Sequence, residues 1–362
     1  MDDAQAEVRE FGLTLRLKNA AASIAVAMGA TAYYCFVPYY QGWISRYYGP
    51  PEASFTGSQF LWAAGACYSL ALFVVFMHPK AAGVSKSLRC LRLIGRWLRS
   101  PVEHYRQGLA PEDRLALLST LLKCYFGPMM VLLLMQWAVG AWLDGRALLE
   151  TWSTNRGFLE VFNTFGFWFV LKFILFWDVF FYTAGYLVES PRLGNQIRSV
   201  DPTLVGWGAA LMCYAPLSTL TGALLGTPRE DFPHFDDPVV HVTMNLLSLV
   251  ILAIYTSASV ALGFKASNLT HRGIVSRGPY AIVRHPAYVC KNAAWWIGGI
   301  PIIGFQLQHS VYDALLTVGS IIAWSAVYVL RALTEEDHLR SVDGDYDVYA
   351  AKVRYRFIPG LI

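Results

Sequence analysis

Residues 239–263 read VVHVTMNLLSLVILAIYTSASVALG, without a single Asp, Glu, Lys or Arg. About twenty apolar residues in a helix cross a bilayer, and inside hydrocarbon a helix satisfies its own backbone groups. Comparable stretches run over 20–40, 58–77, 117–141, 161–187, 203–226, 293–308 and 312–332. The chain is therefore expected to be an all-α, polytopic integral membrane protein with about eight transmembrane helices. The 293–308 stretch is short and holds Gly298, Gly299, Pro301 and Gly304, which predicts a kink or a strong tilt.

Composition agrees. Over 362 residues, 55% are hydrophobic, 15% aromatic and only 15% charged, whereas a soluble domain carries about a quarter charged residues. One globular core cannot hide that much apolar surface. The formal charge of +4 gives no reason to expect a nucleic-acid partner. Six cysteines lie singly, with no CxxC pair and no metal-ligand spacing, so neither a disulfide framework nor a metal site is expected.

Eight crossings put both termini on one side, and lysine and arginine decide which. With the N-terminus inside, the inner segments hold 3, 8, 2, 5 and 5 basic residues, Arg331 included, which is 23 in all. The outer loops hold 4, and Lys123 and Lys172 fall within spans. An N-in, C-in orientation follows. The first stretch is too long for a signal-peptide core, and Asp2, Asp3, Glu7 and Glu10 spoil a basic leader, so it reads as a retained anchor. Asn268-Leu-Thr270 matches a glycosylation sequon but falls on the inner side, where it has no meaning.

Two parts are expected. Residues 1–235 hold N-terminal transmembrane helices and a basic cytoplasmic connector over 79–116, and 236–362 form a C-terminal membrane core. In the connector Arg89, Arg92, Arg96 and Arg99 recur at helical spacing, with Leu88, Leu91, Trp97 and Leu98 for the other side. That pattern fits either a helix lying on an anionic leaflet or a solvated connector. Tyr33, Tyr34, Tyr39, Tyr40, Trp43, Tyr47 and Tyr48 read as an interfacial aromatic belt. Lys123, Lys172, Asp178, His241 and Asn245 fall inside spans and are candidates for function by position alone.

The chemistry concentrates in two segments. Between Gly278 and Tyr288 the chain reads Gly-Pro-Tyr-Ala-Ile-Val-Arg-His-Pro-Ala-Tyr. Gly278 and Pro279 break any helix and Pro286 stops one again, which predicts a shaped loop presenting Tyr280, Arg284, His285 and Tyr288 at the membrane surface. Lipid phosphates would explain the loop's basic residues but not this ordered spacing. The last two spans form a hairpin, so the chain returns to the same face at Glu335-Glu336. Two adjacent carboxylates there make sense beside a cation. Residues 340–359 then alternate aromatics and charges, as a cytoplasmic cap over a pocket would.

These residues, with Leu339, Gly344, Tyr346, Tyr349 and Arg356-Phe-Ile-Pro359, resemble the isoprenylcysteine carboxyl methyltransferase and phospholipid methyltransferase superfamily. The resemblance covers the C-terminal third only. It implies a catalytic helical hairpin with an S-adenosyl-L-methionine site at its cytoplasmic end and an amphiphilic, lipid-like methyl acceptor. Carried onto this chain, it implies Gly278, Tyr280, His285, Pro286, Tyr288, Glu335, Glu336, Tyr346 and Tyr349 around the cofactor. Glu335 and Glu336 suit its cationic end, Arg284 or His285 its carboxylate, and the tyrosines its adenine. Arg284 and His285 are the catalytic candidates, with His285 as base if the acceptor must lose a proton. Asn292, Trp295, Trp296 and Arg356 are placed to meet the acceptor. Two alternatives stay open: a sterol-type reductase using NADPH, with Arg354 and Arg356 near a 2′-phosphate, and a non-enzymatic membrane protein that keeps the fold.

Overall fold

The computed structural model describes residues 2–79, 83–101, 108–152, 157–226 and 235–361, and the side chains from 12 onward. Parts of the 79–116 connector lie outside the described residues. The chain is 79% helical and divides into two compact units, Met1–Leu133 and Leu134–Ile362. The residue 235 boundary expected from sequence falls inside the second unit.

In the first unit, α1 (Asp2–Phe36) packs against α2 (Gly57–Met77) and α3 (Lys86–Arg99). Thr56 and Gln59 form a reciprocal capping box at the start of α2, and Ser85 caps α3 through the Leu88 amide. Asn19 ties α1 to the loop before α3, donating to the Gly83 carbonyl and accepting from the Ser85 amide. The expected aromatic belt is only half a belt. Tyr33, Tyr39 and Tyr47 are exposed, but Tyr34 and Tyr40 are buried and stacked at 4.2 Å, where they pack protein rather than lipid. On α3, Leu91, Trp97 and Leu98 stay exposed, while Arg89 pairs with Glu112 and Arg96 with Asp113, so half of the arginine stripe is neutralised within the unit.

The long helix α4 (Pro111–Trp152) carries the boundary between the units. The second unit continues with α5 (Phe158–Leu187), α6 (Leu204–Leu211), α7 (Leu217–Leu225), α8 (Pro238–Leu262), α9 (Pro286–His309), α10 (Val311–Val342) and α11 (Asp345–Lys352). Helix α8 packs on α5 and α9, and α9 on α10. Phe167, Leu171, Leu249, Leu252 and Ala294 form one core, and Trp295, Ile321 and Trp324 another. Two short strands, β1 (Ser199–Val200) and β2 (Thr270–His271), pair antiparallel and tie the loop after α5 to the loop after α8.

Among the described residues five helices are long and apolar enough to cross a membrane, or six if the bent pair Gly12–Phe36 and Pro38–Ile44 counts as one span. The chain is thus a multi-helix membrane protein by length and composition, and among the described residues not every one of the eight expected spans is met by a single helix of that kind. The 203–226 stretch folds as α6 and α7, each far shorter than the ~20 residues a crossing needs. The 293–308 stretch lies in α9, whose Lys291, Asn292 and interior Pro301 dilute its apolar run. Polar residues within the spans find partners, two of them across helices and two within one helix. Lys172 pairs with Asp144 at 2.5 Å, while Asp178 accepts from Tyr255 (3.1 Å) and Ser259 of α8. His241 and Asn245 bond each other one turn apart.

Candidate functional site

A narrow cleft opens where α10 leaves its apolar run, with about 720 Å³ of empty space, the solvent at its mouth included. Its walls come from α5, α6, α8, the loop over 267–270, the Gly278–Tyr288 loop and α10. Gly278 has φ +60, a left-handed conformation that suits glycine, and starts the single turn of 3-10 helix that carries Tyr280. Pro286 then begins α9, where its missing amide costs nothing.

Of the residues expected from sequence, Tyr280, His285, Tyr288 and Glu335 line the cleft together. The Tyr288 hydroxyl donates to Glu335 Oε2 (2.9 Å), and its ring stacks on His285 at 5.3 Å. Burial first, then the charge of Glu335, pushes the Tyr280 phenol well above its ordinary range, so it stays a neutral donor.

Glu336 is elsewhere. Successive helix residues point about 100° apart, and the two glutamates differ accordingly: the Glu335 side chain is 49% exposed and Glu336 0%. Glu336 Oε1 accepts from Arg284 Nε (2.8 Å) and faces His285 Nε2 (3.2 Å), while Oε2 accepts from Arg340 (2.9 Å) and Arg356 (3.1 Å). Arg284 also donates to the carbonyls of Val353 (2.8 Å) and Arg354 (2.7 Å). The backbone amides of Arg284 and His285 donate to Tyr355 and Arg356. The expectation that Glu336, at the end of its helix, and Arg284, on its loop, contact a ligand is therefore corrected: they sit behind the cleft and bolt the C-terminal segment to the His285 loop. An ionised Glu336 only accepts, so a proton on His285 Nε2 completes that contact, and Nδ1 faces Glu335, 3.9 Å away.

The remaining expected residues also lie outside the cleft walls. Tyr346 and Tyr349 are buried with Val353, and the Tyr349 hydroxyl donates to the Tyr280 carbonyl (2.9 Å), supporting the loop from below. Trp295 packs edge-on against Trp324 and Tyr328 inside the hairpin. Asn292 turns its amide to the Tyr288 carbonyl (2.8 Å), Trp296 is exposed on α9, and Arg356 is held by Glu336. The apolar wall of the cleft comes from Tyr182, Gly206, Ala210 and Leu262 instead.

Sequence reading missed Arg331. It lines the cleft at 7% exposure, beneath the rings of Tyr288 (5.0 Å), Tyr328 (5.2 Å) and Tyr214 (5.8 Å). Among the described residues its guanidinium makes one hydrogen bond, to Asn268 Oδ1 (3.0 Å), and no carboxylate pairs with it. The Asn268 side-chain amide in turn donates to Tyr186 (3.0 Å) and Tyr214 (3.2 Å). Arg331 and Glu335 are one helical turn apart, a spacing that permits an ion pair, yet none forms. The available signal was that spacing, at the C-terminal end of an apolar run. Asn268 carries no signal in the sequence beyond the sequon. Next to it, Leu269 holds φ +61, a conformation that costs a leucine about 1–2 kcal/mol and that concentrates at functional sites.

No family model, curated protein or solved structure matches this chain.

Proposed function

We propose that this protein is an S-adenosyl-L-methionine-dependent membrane methyltransferase that acts on an amphiphilic or lipid-like acceptor at the cytoplasmic membrane face. The observation that carries the reading is the unneutralised pair in the cleft. Among the described residues Arg331 is a buried cation without a counter-ion and Glu335 an anion whose Oε1 has no partner, and they share one face of α10. A buried unpaired charge is costly, so the cleft is best satisfied by a ligand with an anionic and a cationic end. The zwitterionic amino-acid part of S-adenosylmethionine has both.

The residues present fit that group. Arg331 would hold its carboxylate, Glu335 its ammonium, and Tyr280 and Tyr288 offer ring faces and hydroxyls to the remainder. When bound, the cofactor supplies a methyl group on sulfonium, already activated for displacement. The protein's task is then alignment and exclusion of water. His285 Nδ1 faces the cleft-lining Glu335, with Nε2 on Glu336, so it is oriented to take a proton from an amine or hydroxyl acceptor and is not needed for a carboxylate acceptor. An acceptor with a hydrocarbon tail meets Tyr182, Ala210 and Leu262, at the ends of apolar helices. The reductase reading is weaker because Arg356, which it would offer to a 2′-phosphate, is tied to Glu336.

Titration of the purified protein in detergent with S-adenosylmethionine and with NADPH tests the reading. Saturable binding of the first is expected, weakened about tenfold to a hundredfold in both Arg331→Gln and Glu335→Gln, the range for losing a charged hydrogen bond. Binding of NADPH alone, or cofactor affinity indifferent to both substitutions, would overturn it.

A further inference from the structure

We infer a second anion site, outside the cleft, in which Arg198 and Lys265 hold a phosphate group over Gly273. The β1–β2 pair builds it: the Arg198 amide donates to the His271 carbonyl (2.9 Å), which brings residue 198 beside 272–273. Gly273 holds φ +95. A side chain there would begin 3.2 Å from Lys265 Nζ and 3.5 Å from the Arg198 guanidinium carbon, so the two charge centres lie within the sum of those distances. Arg277 adds a third positive charge; both it and Arg198 act on Lys265 by repulsion. Among the described residues none of the three has a carboxylate partner.

Like charges held this close without a counter-ion destabilise one another, by more where water is partly excluded. An anion bound between them removes that cost. Phosphate is the chemistry that fits: two or three cations converge on one point, and the missing side chain at Gly273 leaves them a common approach. The surroundings indicate its source. Lys265 directly follows Phe264, which is exposed and packs edge-on against Phe181 of α5, and it stands one short turn beyond the apolar helix α8. Val188 and Leu193, in the loop leading to Arg198, are exposed as well. Cations one turn beyond exposed apolar side chains stand at headgroup depth, where the phosphates of anionic lipids lie. The site shares no wall residue with the cleft and stands whether or not the methyltransferase reading does.

Thermal unfolding of the full-length protein in detergent, followed by tryptophan fluorescence, tests this. Micelles doped with phosphatidylglycerol, sodium phosphate, and sodium chloride at matched ionic strength are compared for the parent and for an Arg198→Gln, Lys265→Met double variant. The parent should gain about 2 °C or more from a phosphate source over chloride, and the variant should not. A gain from the lipid alone assigns the site to headgroups; an equal gain from sodium phosphate assigns it to a soluble phosphate. Without phosphate the variant should melt no lower than the parent, since it loses repulsion only. A parent that responds no more than the variant, or responds equally to chloride, would overturn the inference. So would a variant that melts well below the parent in chloride.

Discussion

At the level of single residues, Glu335 and Glu336 are adjacent carboxylates with opposite tasks. Glu336 is buried and meets three arginines and a histidine; Glu335 is half-exposed and meets a tyrosine hydroxyl. Removing one member of a buried ion pair costs about 3–5 kcal/mol, because its partners remain buried and uncompensated. Glu336→Gln should therefore lower the melting temperature sharply and loosen the C-terminal segment, measurable as faster proteolysis there. Glu335→Gln should leave melting within about 1 °C, as exposed pairs contribute little, while weakening cofactor binding. Equal melting for both variants would mean that Glu336 does not bolt this end together. The pair was legible as a pair in the sequence, since carboxylates beside a membrane attract notice. Their division of labour was not, because it depends on how α10 is rotated and on Arg340 and Arg356, which a linear reading offers to solvent or substrate.

At the level of elements, the cleft depends on two loops held by close backbone approach and by the short β pair. A Cβ on Gly185 of α5 would collide with the Ala266 carbonyl oxygen. Gly185→Ala must therefore push away the segment that carries Ser267 and Asn268, at a cost of order 1–3 kcal/mol. Both melting temperature and cofactor affinity should fall, and an unchanged titration would show the loop to be unnecessary for binding. In β2, His271 is buried, which lowers its proton affinity below the ordinary imidazole value; Asp343 opposes that shift, and Arg198 and Lys265 reinforce it. The unfolded imidazole then binds a proton more readily than the folded one, so this contribution is present at neutral pH and lost as pH falls below about 6.5. Between pH 7.5 and 5.5 the parent should lose more melting temperature than His271→Asn. Parallel losses would place the acid sensitivity elsewhere. The long helices were readable from apolar runs alone. The break at 212–216 between α6 and α7 and the β pair were not, since the first interrupts an apolar stretch and the second joins loops seventy residues apart through two hydrogen-bonded positions per strand.

At the scale of the whole molecule, function turns on which side of the membrane the cleft faces. Helices α9 and α10 form a hairpin, so the Gly278–Tyr288 loop and Glu335 share one end and the His309–Val311 turn lies at the other. The lysine and arginine bias favours the cleft end as the inner one: the segments at that end of the second unit, 188–203, 263–285 and 331–362, hold 11 basic residues, and those at the other end, 145–157, 226–237 and 309–311, hold 3. This matters for function because the proposed cofactor is a soluble, charged molecule that does not pass through hydrocarbon. A fluorescent protein that matures only in the cytoplasm, fused after Ile362, should therefore glow, and the same reporter inserted at Ser310 should stay dark. Inverting that outcome would leave the fold intact but put Arg331 and Glu335 on the far side from any cytosolic cofactor. The methyltransferase reading would then have to give way to a ligand found outside, with the same demand for one anionic and one cationic end.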